Sequence, residues 1–329
     1  MNIFFVLSKE NIELAKEEVF ALFNYTEFKL LHNILLLNAK ISDIYFRRIA
    51  SRLAYTRSAY VFLFMCDIND LNDNIARFNW SSIYKNDFSV RVSGENNNLS
   101  EKQIASLVWN KLKDPKVNLK DGYTNIHFFV FDNVVVCGLR KHVESHDFQK
   151  RRSHLRPNNY PVSLHPKLAR ACVNLVGIKK NDILLDPFCG TGGILIEAGL
   201  MNMKVIGFDI NEKMLKISKC NFEFSKLRSF HLFKKDATIK DSYDIDFNAI
   251  VTDLPYGKSS TSLEDLDNIY LKFLEIVKSL KQSELIKRCV VIFPDFIDYK
   301  KIFSILGLEV KKEFSFYIHK SLTRKIVVF

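Results

Sequence analysis

Asp253-Leu254-Pro255-Tyr256 closes an apolar run, Phe247 to Thr252, that has the length and composition of a strand. An acid, a proline turn and an aromatic ring at a strand's end can grip a planar amine. The carboxylate and a turn carbonyl accept the amine's two N–H hydrogens while the ring lies on the heterocycle. The chemistry open to such a group is alkylation of the exocyclic nitrogen of a nucleobase. An ordinary strand-to-loop turn can carry the same letters, so the weight of the tetrapeptide depends on its context. Asp253, Leu254, Pro255 and Tyr256 are the candidate catalytic residues.

A second chemistry-bearing stretch lies upstream. Leu184-Leu185-Asp186-Pro187-Phe188-Cys189-Gly190-Thr191-Gly192-Gly193 reads as a strand, a glycine-rich turn and the start of a helix. Glycines let the backbone approach a ligand closely at the positive end of that helix. Asp209 ends the next strand-like run, with Ile210 behind it, and a carboxylate there can accept both ribose hydroxyls of an adenine nucleoside. A third run leads to Asp236-Ala237, placed to meet the adenine amino group. The candidate cofactor-binding residues are therefore Asp186, Phe188, Gly190, Gly192, Asp209, Ile210, Asp236 and Ala237, with Asp253 beside them. Dinucleotide binding is the rival, but the glycines fall as G-x-G-G rather than G-x-G-x-x-G. Asp186 would also repel a pyrophosphate, whereas it favours a ligand bearing an amine and a sulfonium cation. S-adenosyl-L-methionine is the expected cofactor, and no metal site is expected.

Alternating strands and helices must position these residues. The strands are Ile183–Leu185, Val205–Phe208, His231–Lys234, Phe247–Thr252 and Cys289–Phe293, and the helices Ile194–Leu200, Glu212–Phe224 and Leu266–Leu280. That pattern predicts a doubly wound α/β domain with a mainly parallel sheet. Two β-rich runs at the end, Phe314–Ile318 and Lys325–Phe329, predict an antiparallel edge hairpin. Upstream, a region running to about Arg57 reads as a small α+β unit: strand Ile3–Leu7, helix Ile12–Phe23, strand Ile34–Leu37 and a helix after Ser42. A second region, Ala59 to Leu139, offers a strand Phe88–Val92, a helix Glu101–Leu112 and the strands Ile126–Phe131 and Val134–Gly138. Asp132-Asn133 between the last two is a hairpin signal.

At 329 residues the chain exceeds the usual size of one hydrophobic core, so two or three domains are expected. A mean hydropathy of −0.04 and the lack of any run near the roughly 20 apolar residues of a spanning helix argue against a membrane protein. Met1 to Phe5 carries no basic segment or cleavage site of a secretory leader. Six scattered cysteines without a CxxC pair fit reduced thiols of a cytoplasmic protein. A formal charge of +11 suits a polyanionic partner. The charge gathers at Arg140, Lys150, Arg151, Arg152 and Arg156, and again at His319, Lys320 and Arg324. Both groups are candidates for phosphate contacts, which gain affinity by releasing counterions; a solvated linker and a solvated hairpin turn are the competing readings.

In order, Asp186 to Gly193, Asp209, Asp236 and Asp253 to Tyr256 resemble the class I methyltransferases that act on exocyclic amines. Arg156-Pro157, Ser163, Pro166 through Arg170 and Val173-Asn174-Leu175 look like the lead-in of THUMP-containing RNA methyltransferases. The strings DLPYGKSS, from Asp253, and HKSLTRKIVVF, from His319 to Phe329, look like the archaeal tRNA guanine-N2 methyltransferases that modify guanosine at position 10. The resemblance covers nearly the whole chain. It implies an N-terminal ferredoxin-like domain at 1–57, a THUMP RNA-binding domain at 58–140, a basic linker at 141–160 and a Rossmann-like class I methyltransferase domain at 161–329. It further implies methyl transfer to N2 of a tRNA guanosine, giving N2-methylguanosine and, if the pocket readmits that product, N2,N2-dimethylguanosine. Asp253 and the Leu254 carbonyl would hold the amine, Tyr256 would stack on the base, and Lys258, Ser259 and Ser260 would close over it. The implied partners are tRNA and a small zinc-binding activator used by some relatives, with a monomer expected in its absence. Two departures stand out. Leu254 replaces a proline common in amine methyltransferases, and Asp121-Gly122 follows Val117-Asn118-Leu119-Lys120 where the THUMP signature has Asn-Pro. The same chemistry at another tRNA position, on ribosomal RNA or on adenine N6 of DNA remains open, as does an inactive RNA-binding adaptor.

Overall fold

The structure is a computed structural model that describes residues 2–94, 99–120, 122–143, 147–158, 163–257, 263–320 and 322–329. Asp121 and the loop residues Lys258, Ser259 and Ser260 lie outside the described residues. The chain forms two compact units. The first comprises Met1–Lys16, Phe23–Ser51 and Tyr55–Ser145, and the second Glu17–Leu22, Arg52–Ala54 and His146–Phe329. Among the described residues, no helix is long and apolar enough to cross a membrane.

The first unit is built on seven strands: β1 (Asn2–Leu7), β2 (Glu27–Leu31), β3 (Ile34–Asn38), β4 (Thr56–Asp67), β5 (Phe88–Gly94), β6 (Thr124–Phe131) and β7 (Val134–Val143). They form one sheet in the order β2-β3-β1-β4-β7-β6-β5, antiparallel except where β5 runs parallel to β6. The division expected near residue 57 falls inside β4, which pairs with β1 on one side and β7 on the other. Both upstream sequence regions therefore share a single sheet. Helix α1 spans Ile12–Leu22; α2 (Asp43–Ala50), α3 (Leu71–Arg77) and α4 (Glu101–Trp109) belong to the first unit. One apolar cluster joins Leu71 and Ile75 of α3 and Ile104 and Val108 of α4 to Phe88, Val90, Ile126 and Phe128 of the strands. A second, aromatic cluster includes Phe4, Tyr60 and Phe129, with the Phe4 and Tyr60 rings stacked at 4.7 Å.

The second unit contains β8 (Ile183–Asp186), β9 (Lys204–Asp209), β10 (Phe230–Lys234), β11 (Ala249–Asp253), β12 (Cys289–Pro294), β13 (Lys312–His319) and β14 (Leu322–Val328). Their order is β10-β9-β8-β11-β12-β14-β13. β8 to β12 run parallel, while β14 pairs antiparallel with β12 and β13 closes the edge as an antiparallel hairpin. The strands alternate with α5 (Pro166–Leu175), α6 (Gly193–Leu200), α7 (Glu212–Phe224), α8 (Leu263–Gln282) and α9 (Tyr299–Leu306). Side chains of a strand point to opposite faces in turn, and the helices divide accordingly. Leu185, Ile206, Phe208, Ile250 and Val291 pack against Tyr270, Phe273 and Val277 of α8 and Ile302 and Phe303 of α9. On the other face, a Cβ at Gly207 would strike Leu195 of α6. This is the doubly wound α/β fold, with the edge hairpin that the last two β-rich runs predict.

Candidate active site

Four acidic residues gather at the carboxyl edge of this sheet. β8 ends at Asp186, β9 at Asp209 and β11 at Asp253, and Asp236 stands two residues beyond β10. The strand order reverses between β8 and β11, the point where open α/β sheets bind their ligands. Asp186, 2% exposed, accepts hydrogen bonds from the Thr252 hydroxyl (2.7 Å) and the Phe188 N–H (3.2 Å). Burial pushes its carboxyl up to about 7, and these two bonds only partly offset that.

The glycine turn is shaped by two left-handed residues with different tasks. Gly192 (φ 80°) lies against α7, where a Cβ would come within 2.3 Å of the Phe222 ring. Gly190 (φ 51°) has nothing within 4 Å of a Cβ position and so leaves open space beside the strand ends. From α7, Ser218 donates to the Gly190 carbonyl (2.7 Å) and the Asn221 amide to the Thr191 carbonyl (3.1 Å), which fastens the turn from behind. Asp209 accepts from the Gly190 N–H (3.0 Å) with one oxygen and from the Asn211 N–H (2.8 Å) with the other. Burial raises its carboxyl. Each oxygen keeps a lone pair for a hydroxyl pair. Ile210 beside it is exposed, an apolar surface suited to an aromatic ring face. Asp236 accepts from the N–H and hydroxyl of Thr238, and buried Ala237 receives the Tyr243 hydroxyl on its carbonyl. Phe188 rests edge-on against Phe273 of α8 (5.2 Å).

This donor set fits a cationic adenosyl cofactor. Open space at Gly190, two acceptor oxygens on Asp209 and further carboxylates on either side suit hydroxyls, an amine and a sulfonium, and they oppose a pyrophosphate. Lys235, the basic residue next to Asp236, is turned away onto the rings of Phe208 and Phe233 and donates to the Ser242 carbonyl. Among the described residues, no group of three His, Cys, Asp or Glu is placed to hold a metal.

Asp253 is about one-fifth exposed, and each of its oxygens has a partner. Oδ1 accepts from the Tyr256 hydroxyl (2.5 Å), and Oδ2 lies 3.2 Å from Nη2 of Arg324. Arg324 Nε also donates to the Tyr256 oxygen (2.6 Å), and its guanidinium carbon sits 5.5 Å from the centre of that ring. Burial raises the Asp253 carboxyl to about 6, with Arg324 and the Tyr256 hydroxyl pulling the other way. Burial also raises the Tyr256 phenol, and the Asp253 carboxylate adds to it. The turn itself is anchored. The Leu254 N–H donates to the Ile292 carbonyl (3.1 Å), its side chain is buried, and the Pro255 carbonyl accepts the Tyr270 hydroxyl (2.5 Å).

The basic residues separate into surface and interior groups, and two expectations need correcting. Arg324 is 3% exposed and bound to Asp253, so it does not extend the surface group of His319 and Lys320, which are both exposed. Arg156 is 7% exposed and donates through Nε and Nη2 to the Arg151 carbonyl, with Nη1 packed toward Gly193. Burial lowers its guanidinium, although Glu197 nearby partly compensates. Arg151 is half-buried and forks onto fully buried Glu197 of α6 (2.7 and 3.1 Å), which also receives Arg170 of α5 (2.9 Å). These arginines therefore clamp the segment before α5 onto the cofactor-loop helix. Lys150, paired with Asp147 (2.5 Å), and Arg152 stay exposed, and Arg140 on β7 is half-buried. Sequence reasoning missed Thr252, Glu197 and Arg170. The signal for Glu197 was present, since a single acid within the otherwise apolar helix run Ile194–Leu200 must find a buried cation.

Residues 153–325 match the family model for the RMKL-like methyltransferase domain, and residues 47–220 match a model described as DNA methylase. The tRNA (guanine(10)-N2)-dimethyltransferase of Methanothermobacter thermautotrophicus is 34% identical over 284 residues, covering 84% of this chain and 83% of that protein. The tRNA (guanine(10)-N2)-dimethyltransferase of Pyrococcus abyssi is 34% identical over 267 residues, 78% of each chain. A tRNA (guanine(6)-N2)-methyltransferase of Methanocaldococcus jannaschii is more distant, 24% identical over 78% of this chain and 80% of that protein. Among solved structures, a possible methylase from Clostridium difficile 630 aligns over 99% of this chain and 97% of its own, with a TM-score of 0.50 and 17% identity, a likeness of fold alone. The chain belongs to the family of the tRNA (guanine(10)-N2)-dimethyltransferases and carries an RMKL-like methyltransferase domain over residues 153–325.

Proposed function

We propose that this protein methylates the exocyclic N2 of guanosine 10 in tRNA, with S-adenosyl-L-methionine as the methyl donor. The observation that carries the reading is the Asp253 carboxylate, fixed at the strand-order reversal beside Asp186 with an aromatic ring three residues on. When bound, the cofactor supplies an electrophilic methyl group on a sulfonium centre. The guanine amino group is a poor nucleophile because its lone pair is delocalised into the ring. Asp253 and the Leu254 carbonyl hold its two N–H groups and aim that lone pair, so the acceleration comes chiefly from orientation. Once alkylated, the nitrogen is strongly acidic, and its proton passes to the Asp253 carboxylate or to water. The ring of Tyr256 offers a stacking face for the extruded base, whose removal from a stem costs a few kcal/mol.

Asp186, Phe188, Gly190, Gly192, Asp209, Ile210, Asp236 and Ala237 form the pocket for the donor. Lys150, Arg152 and Lys320 are the exposed cations that meet RNA phosphates, with His319 beside Lys320 and Arg140 on β7 as further contacts. The seven-stranded first unit holds the ferredoxin-like and THUMP segments and recognises RNA by shape and backbone. The enzyme works in the cytoplasm as a monomer, joined where required by a small zinc-binding activator.

The test is nucleotide-resolved mass mapping of unmodified tRNA after incubation with the protein and donor, followed over time. Mass gain at guanosine 10, first of one methyl and then of two, is expected. Modification of a different nucleotide overturns the assignment of the target. No detectable cofactor binding by calorimetry turns the reading toward an inactive RNA-binding adaptor.

A further inference from the structure

Arg324 reaches the catalytic carboxylate from β14, two strands away from β11 in the sheet. Its strand alternates, and Leu322, Arg324 and Ile326 form the buried series while Thr323 and Lys325 are more open. A cation in an inward-facing series carries a desolvation cost that only specific partners offset. Those partners are Asp253 and Tyr256. Nη2 pairs with Asp253 Oδ2, Nε donates to the Tyr256 oxygen, and the Tyr256 hydroxyl in turn donates to Asp253 Oδ1. The three side chains thus close a ring. Each carboxylate oxygen is held by one partner and keeps a further lone pair to receive an amine hydrogen.

Among the described residues, the other titratable groups facing Asp253 include Asp186 from β8, Cys172 from α5 and Tyr270 from α8, whose hydroxyl is taken by the Pro255 carbonyl. Among these groups and Tyr256, Arg324 alone carries a positive charge. The pairing is mutual: burial pulls the guanidinium down, but Asp253 and Tyr256 carry it above its ordinary range.

We propose that Arg324 is a positioning residue for methyl transfer, pairing with Asp253 and, through Tyr256, keeping both carboxylate oxygens oriented toward the incoming amine. The role rests on reading Asp253 as the amine-gripping carboxylate. It differs from a phosphate contact, because Arg324 has its planar fork turned inward onto a carboxylate and a phenol. It also makes the C-terminal edge hairpin part of the catalytic apparatus, since β14 carries the residue that completes the ring around Asp253.

The experiment measures kcat and KM for unmodified tRNA against pH in the wild-type protein and in Arg324→Met, Arg324→Lys and Asp253→Asn. Calorimetry with S-adenosylhomocysteine reports whether each variant retains its cofactor pocket. For Arg324→Met, kcat should fall at least ~10-fold, KM for tRNA should change less than about threefold, and the acid limb should move up by about one pH unit. Arg324→Lys keeps the buried charge without the fork and serves if the Met variant does not fold. It should hold the limb within about half a unit of wild type while losing roughly fivefold or more in kcat. An acid limb that stays in place in cofactor-binding Arg324→Met, a loss confined to KM, or full kcat in Arg324→Lys overturns the positioning role. Normal turnover in Asp253→Asn overturns the underlying reading of Asp253 itself.

Discussion

Arg324 and Asp253, 71 positions apart in sequence, meet as an ion pair at 3.2 Å in which the guanidinium is buried and the carboxylate mostly so. The carboxylate proposed to grip the target amine is therefore oriented before substrate arrives. Asp253→Asn keeps the size of the side chain but replaces one acceptor oxygen with a donor. Methyl transfer should fall by at least ~10²-fold, while S-adenosylhomocysteine binding changes by no more than a few-fold. Single-turnover assays with unmodified tRNA, paired with calorimetry, check both halves of this expectation. Turnover near wild type would rule out Asp253 as the amine acceptor.

Tyr256 combines a hydroxyl tied to Asp253 and Arg324 with the ring face proposed to receive the base. Two substitutions separate these parts. Tyr256→Phe keeps the ring and removes one hydrogen bond to Asp253, so its effect should appear in kcat with KM for tRNA nearly unchanged. Tyr256→Ala also removes the stacking surface, worth about 1–3 kcal/mol for a single-stranded base, and should raise KM by roughly 5–150-fold. Equal KM values in the two variants would show that no base stacks there.

The raised carboxyls, Asp186 and Asp253 foremost among them, give the protein a distinctive pH dependence. Asp186 is raised to about 7 and Asp253 to about 6, each above its ordinary carboxylate value, in both cases because burial disfavours the charge. Between about pH 4 and pH 7 the folded chain therefore holds protons that the unfolded chain has released. The stabilisation is fully present below pH 4 and is lost as the pH rises through 7. Urea midpoints measured from pH 5 to pH 8 should fall with pH. The slope should flatten in Asp186→Asn, which should also bind S-adenosylhomocysteine more weakly. A midpoint that rises over this range would contradict the burial of both groups.

The parts of this architecture set by local rules were legible in the sequence. The β8–Gly turn–α6 unit, the acids ending β9 and β11 and the edge hairpin follow from periodicity and glycine placement within short windows. β4 was not read. Its continuous apolar stretch, Ala59 to Cys66, carries no alternation, since the sheet is packed on both faces there. The places of Asp186, Asp209 and Asp253 were legible because each sits where a strand stops, whereas Asp236 stands two residues past its strand. The basic half of the site was not legible, because charge counted along the chain does not say which way a side chain points. Arg324 and His319 lie five positions apart, yet one is interior and the other exposed. The inward series Leu322, Arg324, Ile326 was the available clue, and it needed the strand register to be known.

Glu197 holds together the segment that precedes α5. Its fully buried carboxylate receives Arg151 and Arg170, with Arg156 close by. Removing the acid leaves these cations uncompensated in the interior, which typically costs about 3–5 kcal/mol. Glu197→Ala should lower the urea midpoint strongly, whereas Glu197→Gln, which retains one acceptor oxygen, should lose less. Because α6 starts at the cofactor turn, weaker S-adenosylhomocysteine binding is expected to accompany the loss. Equal stability of Glu197→Ala and wild type would mean that the arginines find other partners.

The surface cations make a separate prediction, because burial rather than charge count decides which of them can meet RNA. Lys150 and Arg152 are exposed, whereas Arg156 lies inside and donates to a main-chain carbonyl. For cations that contact phosphates, each one removed should shallow the dependence of log K for tRNA on log salt by roughly 0.7–0.9. The Lys150→Ala, Arg152→Ala double variant should therefore lose roughly 1.4–1.8 units of slope with its unfolding midpoint unchanged. Arg156→Ala should do the reverse, lowering the midpoint and leaving the slope intact. Filter binding between 50 and 300 mM salt, set beside urea unfolding, distinguishes the two behaviours, and a full unit of slope lost in Arg156→Ala would place that side chain on the RNA after all.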